Sequence, residues 1–123
     1  MAVLLDTCVL IDLLRHDPRA AAAVLAMRDR PRVCAASRME LIAGARSQRE
    51  ERRIDTLLAR FEHVPIDEAV FQLAGTLLRH HRASHGLDPV DALITATAEH
   101  HGLDLATLNV KHFPMIKGLK AAY

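Results

Sequence analysis

The chain has 123 residues, half of them hydrophobic and a quarter charged, the composition of a folded globular domain and not of a disordered one. That length gives room for a single domain, residues 1–123, with a core of ordinary size. No apolar stretch approaches the roughly 20 residues of a membrane helix. Asp6 interrupts the first apolar run and no basic segment precedes it, which argues against a signal peptide, so the expectation is a soluble, cytoplasmic protein.

A net charge of +1 does not mark a nucleic-acid binder, but the basic residues are unevenly placed. Nearly all are arginine, clustered at Arg28, Arg30 and Arg32 and again at Arg46, Arg49, Arg52 and Arg53. Guanidinium forks suit phosphates. The competing reading is a solvated helix face with Glu50, Glu51 and Asp55 as partners, and the sequence leaves both open. Three Phe, one Tyr and no Trp supply base-stacking platforms poorly. Cys8 and Cys34 make no CxxC pair and read as reduced, apolar core residues.

In chain order, Ala2–Leu5 is apolar enough for a strand buried on both faces. Asp6 or Thr7 can cap a helix carrying Val9, Leu10, Leu13 and Leu14, and Asp17-Pro18 starts another. Arg32 to Ala35 reads as a second strand, and Ser37-Arg-Met-Glu40 as a capping box opening the next helix. Residues 49–61 read as helix, and His63 to Ile66 as a short strand or link. Asp67 caps an amphipathic helix with Val70, Leu73, Ala74, Leu77 and Leu78 at helical spacing, ending before Gly86. Asp88-Pro89 starts a helix running towards Gly102, Asp104 to Thr107 is a strand, and an edge strand is expected from Gly118. The alternation predicts an α/β fold with a central, mostly parallel sheet between helices.

Three acids then fall at equivalent places. Asp6 ends the first strand, Glu40 follows the second, and Asp91 lies in the first turn of the Asp88-Pro89 helix. In a parallel sheet the strand C-terminal ends share one edge, so these side chains can converge there. Convergent carboxylates suit Mg²⁺ or Mn²⁺ and phosphoryl chemistry. Each acid taken singly is better explained as a helix-end device favoured by the macrodipole.

Four segments in order decide between the two. Val3-Leu-Leu-Asp6-Thr-Cys-Val-Leu-Ile, Ser37-Arg-Met-Glu40-Leu-Ile-Ala-Gly44, Asp88-Pro-Val-Asp91-Ala-Leu-Ile-Thr-Ala-Thr-Ala98 and Leu105-Ala-Thr-Leu-Asn109-Val-Lys-His-Phe113 resemble the acidic motifs of PIN-domain nucleases. The length and the closing Thr-x-Asn-x-x-His-Phe segment are most similar to the VapC toxin branch. The resemblance implies a PIN-like three-layer fold and a magnesium-dependent ribonuclease, with Mn²⁺ as a substitute. It also implies a cognate VapB-like antitoxin, an RNA substrate and a homodimer. Carried over, Asp6 and Asp91 are the principal metal ligands, Glu40 binds metal or orients the attacking water, and Asp88 is a lesser acid beside them. Thr7 orients Asp6 or contacts phosphate, and Arg46 and His112 are candidate substrate contacts. Asn109 stands where many relatives have a fourth aspartate, so a second metal would be held weakly. Cys8 replaces Ser or Asn, which removes a good hydrogen-bonding group. His81 and His85 have i, i+4 spacing but no third ligand, so the run with His80 reads as a polar helix end. The alternative from another class is a PIN-like scaffold or RNA-binding module that has lost catalysis.

Overall fold

The chain alternates short apolar runs with amphipathic ones, and in the computed structural model these become strands and helices in strict turn. Residues 2–123 are described, apart from the side chains of Arg82, Ser84 and His85. The elements are β1 (Val3–Leu5), α1 (Thr7–Leu14), α2 (Pro18–Leu25), β2 (Arg32–Cys34), α3 (Ala35–Gly44), α4 (Gln48–Leu58), β3 (Glu62–Val64), α5 (Glu68–His85), α6 (Pro89–His100) and β4 (Asp104–Ala106). A 3-10 turn follows at Val110–His112. All strand pairs are parallel, in the order β3-β2-β1-β4, with Leu5 opposite Val33 and Ala106, and Cys34 opposite Val64. The first strand is therefore interior and the other β-strands feed the same C-terminal edge.

Successive strand side chains point to opposite faces, and this splits the core in two. Leu5, Val33 and Ala106 join Val9, Leu10, Ile54, Leu57 and Leu58, from α1 and α4, on one face. Leu4, Cys34, Val64 and Leu105 join Ile94, Ala98 and Phe113 on the other. Beyond that second face, Val70 and Ala74 of α5 pack with Ala92 and Ala96 of α6. The result is the three-layer arrangement that the sequence predicts.

Helix starts follow local chemistry. Asp6, Asp17, Ser47 and Asp88 are N-caps whose side chains accept from backbone N–H groups, and Pro18 and Pro89 occupy first-turn positions where no N–H is missed. The last turn of α6 is closed by Gly102 at φ +64°, a conformation that glycine adopts without a Cβ clash.

Two expectations fail. The helix after β2 does not start with a Ser37–Glu40 capping box. It starts at Ala35, directly after the strand, with Cys34 at the cap position and no side-chain cap. Ser37 is fully buried inside it, with its hydroxyl committed to Thr7, so a tertiary contact has displaced the local one. The capping-box pattern is instead realised at α4. There Ser47 accepts from the Glu50 N–H, and the Glu50 carboxylate reaches back to the Arg46 N–H. Nor does the segment from Gly118 add an edge strand. It crosses to the α1 side, where the Ala122 N–H donates to the Thr107 carbonyl and Ala122 and Tyr123 pack on the core.

Candidate active site

The site lies where the C-terminal ends of β1 and β4 meet the first two turns of α3 and the first turn of α6. Asp6 is the residue after β1, and it is 4% exposed. A buried carboxylate needs donors, and it has three. The Thr7 N–H reaches Oδ1 at 2.8 Å, and the Thr107 hydroxyl and Cys8 thiol reach Oδ2 at 2.6 and 3.3 Å. Thr107, fully buried one residue past β4, also accepts the Asn109 N–H. The orientation of Asp6 is thus set by the neighbouring strand as much as by its own.

Thr7 is buried beside it. Its hydroxyl donates to Glu40 Oε1 at 2.5 Å and lies 2.9 Å from the Ser37 hydroxyl, which ties α1 to α3 and fixes the Glu40 carboxylate at the head of the cleft. Asp91 comes from α6, where Asp88 caps the helix by accepting the Asp91 N–H at 2.8 Å. Its side chain is only 16% exposed, and the His112 Nδ1 approaches Oδ2 at 3.5 Å. The Asp91 pKa is pushed up to about 7. Burial is the main cause, followed by repulsion from Asp88 and Asp6, and Glu40 adds to it. His112 opposes the shift.

The four acids named from the sequence therefore share one electrostatic neighbourhood. Asn109 enters it through its backbone only, since its side chain is exposed and makes no hydrogen bond among the described residues. Arg46 is exposed and pairs with Glu50 at 3.8 Å, and together with Glu40 it lines a groove beside the site. Thr107 and Ser37 were not singled out from the sequence. The signal for Thr107 was present, two residues before Asn109 at a strand end. For Ser37 there was none, because a serine before a glutamate reads as a cap.

Cys8 is half-buried, and burial holds its thiol above its ordinary pKa. It stays a donor to Asp6 while the Leu108 N–H donates to its sulfur. The replacement of Ser or Asn thus keeps a weaker hydrogen bond in place. Both cysteines are free thiols. The His80 and His81 rings lie 6.3 Å apart, and the His85 side chain of the i, i+4 pair lies outside the described residues.

A crowd of carboxylates, one of them with its pKa raised by burial and by its acidic neighbours, fits a hard dication, which would remove the repulsion. Among the described residues no three His, Cys, Asp or Glu side chains are gathered tightly enough to hold an ion directly.

Comparison with known proteins gives the family. The PIN domain matches residues 3–117, so the chain belongs to the PIN-domain family. It is 37% identical to "Ribonuclease VapC19" of Mycobacterium tuberculosis over 98% of both chains. It is 41% identical to "Ribonuclease VapC10" of the same organism, over 98% of this chain and 92% of the relative. These identities put it in the VapC branch. Among solved structures, a toxin–antitoxin complex from Klebsiella pneumoniae superposes with a TM-score of 0.82 at 31% identity, covering 98% of each chain. DNA-bound VapBC from Salmonella typhimurium superposes at 0.79 with 26% identity, covering 98% and 96%. No helix among the described residues is long and apolar enough to cross a membrane.

Proposed function

We propose that residues 1–123 form one PIN domain that hydrolyses RNA phosphodiester bonds with the help of Mg²⁺, and that it is the toxin of a toxin–antitoxin pair. The observation that carries this reading is the charge excess at the strand edge, where burial and three further carboxylates lift Asp91 to about 7. Such an arrangement costs stability unless a cation or phosphate chemistry uses it. Asp6 and Asp91 would hold the ion, with Glu40 binding it or orienting the water and Asp88 a lesser acid beside them. When bound, the ion supplies charge for a phosphate oxygen and acidity for a water.

The chain's own residues do the positioning. Thr107, Cys8 and the Thr7 N–H fix both oxygens of Asp6. The Thr7 hydroxyl holds Glu40 Oε1, which leaves its second oxygen free to accept a proton from an attacking water. His112, beside Asp91 and exposed, is placed to meet a substrate phosphate, and Asn109 stands beside it.

Kinship with VapC ribonucleases and with toxin–antitoxin complexes supports the RNA substrate and a VapB-like antitoxin. A homodimer has a candidate contact in Met39 and Ile42 on α3, neighbours on one helix face that are 72% and 40% exposed next to Glu40. The scaffold alternative has one observation in its favour, the exposed Asn109 side chain, which makes no hydrogen bond among the described residues, in place of an acid. The test is cleavage of a labelled single-stranded RNA by the purified chain with and without Mg²⁺. Metal-dependent cleavage that Asp6→Asn abolishes supports an enzyme. Binding without any cleavage, at all metal concentrations, would make the scaffold correct.

A further inference from the structure

The site opens at Glu40 into a groove, and the groove does not stop there. Glu40 and Arg46 line its head together with Arg15, Leu14 and Arg53, in a depression of about 410 Å³. Leu14 and Arg53 also line two further depressions, one bordered by Ser47 and Arg49 and the other, of about 540 Å³, by Arg49, Arg52 and Arg60. The three adjoin one another along α4, sharing Leu14 and Arg53, and only the first includes Glu40.

The walls are cationic. Arg15, Arg49, Arg52 and Arg60 have no carboxylate within 4 Å among the described residues, whereas Arg19 and Arg32 elsewhere are paired with Asp17 and Glu62. Glu50, bound to Arg46, is the acid lining the groove beyond Glu40. Arg53 is anchored by donating to the Leu14 carbonyl, and it meets His16 Nε2 at 3.4 Å, so one guanidinium is held in place at the junction. The floor is apolar, formed by Leu13, Leu14 and Leu57.

We infer that this arginine groove along α4 carries the flank of a single-stranded RNA whose scissile phosphate sits at the Asp6–Asp91 site. The inference rests on the ribonuclease reading above. Phosphates meet the unpaired guanidinium groups. The apolar floor meets unpaired bases, which a duplex would keep stacked inside. An 11-residue helix such as α4 is about 16 Å long, which accommodates on the order of three to five nucleotides. Sequence-independent contacts of this kind lengthen the footprint without choosing bases.

The test uses the whole chain and fluorescent single-stranded RNAs of four and twelve nucleotides. Binding is followed by anisotropy in Ca²⁺ across a salt series. The variant is Arg49→Gln combined with Arg52→Gln, two exposed side chains outside the carboxylate site. The longer RNA should bind the unmodified chain more tightly than the shorter one. The double variant should weaken the longer RNA by about tenfold and reduce the slope of log K against log salt by about 1.4, at roughly 0.7 per lost phosphate contact. The four-nucleotide RNA, too short to fill the site and the groove together, should lose less affinity than the longer one. An unchanged slope, an equal loss on both lengths, or a groove that takes a polyglutamate peptide in preference to RNA would overturn the inference. Failure of the ribonuclease reading looks different: length-dependent binding persists while no RNA is cut with any metal.

Discussion

At the scale of single residues the site is a balance between charges that repel and donors that hold them. Asp91 carries the imbalance. Below about pH 4 its carboxyl is neutral in both folded and unfolded chains, and no penalty exists. As pH rises towards 7 the unfolded chain releases the proton while the folded one retains it, so folding loses stability through that window. Above about 7 the penalty is complete. Asp91→Asn should therefore abolish cleavage and stabilise the metal-free protein by on the order of 1 kcal/mol at pH 8, a figure reduced for solvent screening, with no gain at pH 4. Denaturant unfolding at the two pH values checks this, and a variant less stable at both would return Asp91 to a purely structural helix-end role. Thr107 is the complementary case. Thr107→Val keeps the shape but removes the hydroxyl that orients Asp6. Mn²⁺ affinity, measured by calorimetry, should fall by at least tenfold while Thr107→Ser restores it.

At the scale of elements, the tail decides more than its lack of regular structure suggests. The Tyr123 hydroxyl donates to Asp12 Oδ2 at 2.6 Å, and the Arg19 guanidinium sits 5.8 Å from its ring. One residue earlier, Ala122 holds the carbonyl of Thr107, whose side chain holds Asp6. The segment thus straps β4 to α1 and α2. Tyr123→Phe should cost about 1.5–3 kcal/mol at pH 7, the worth of a hydrogen bond to a charged acceptor. Burial and the Asp12 bond raise the phenol's pKa above the ordinary 10, so its advantage over Phe should shrink once the pH passes 10 and the unfolded chain ionises. Melting temperatures of the two proteins at pH 7 and pH 10.5 test both statements. No difference at pH 7 would mean that the strap carries no load.

At the scale of the whole molecule, metal binding and folding are linked through the same cleft. An ion that binds the folded chain alone stabilises it by about 2.7 kcal/mol at a hundred times its dissociation constant, a shift of about 10 °C in a chain of this size. Mn²⁺ should raise the melting temperature of the unmodified chain by that order and leave Asp91→Asn nearly unmoved. Because Asn109 adds no charge, calorimetric titration should find one firm site, and Asn109→Asp should tighten it. Two tight sites in the unmodified protein, or an aspartate variant that binds no better, would refute this account of Asn109.

The order of strands and helices, the caps at Asp6, Asp17 and Asp88 and the buried face of α5 are written locally. Spacing, capping chemistry and apolar periodicity act within a turn or a strand, and the sequence determined them by itself. So too with the convergence of Asp6 and Glu40, which follow β1 and β2 and so share the edge where parallel strands end, whereas Asp91 joins them because α6 leads back into β4 and therefore starts at that edge. Ser37, Thr107 and the tail were decided only in three dimensions. A hydroxyl preceding a glutamate satisfies the local rule for a cap, yet burial against Thr7, thirty residues away, offered Ser37 a partner in the core. Thr107 acquired its role from a carboxylate on the adjacent strand, 101 residues earlier. The tail left the sheet edge because Ala122 and Tyr123 found apolar cover and Asp12 across the molecule. Local patterns describe what a segment can do alone, and long-range hydrogen bonds in a dry interior select among those options.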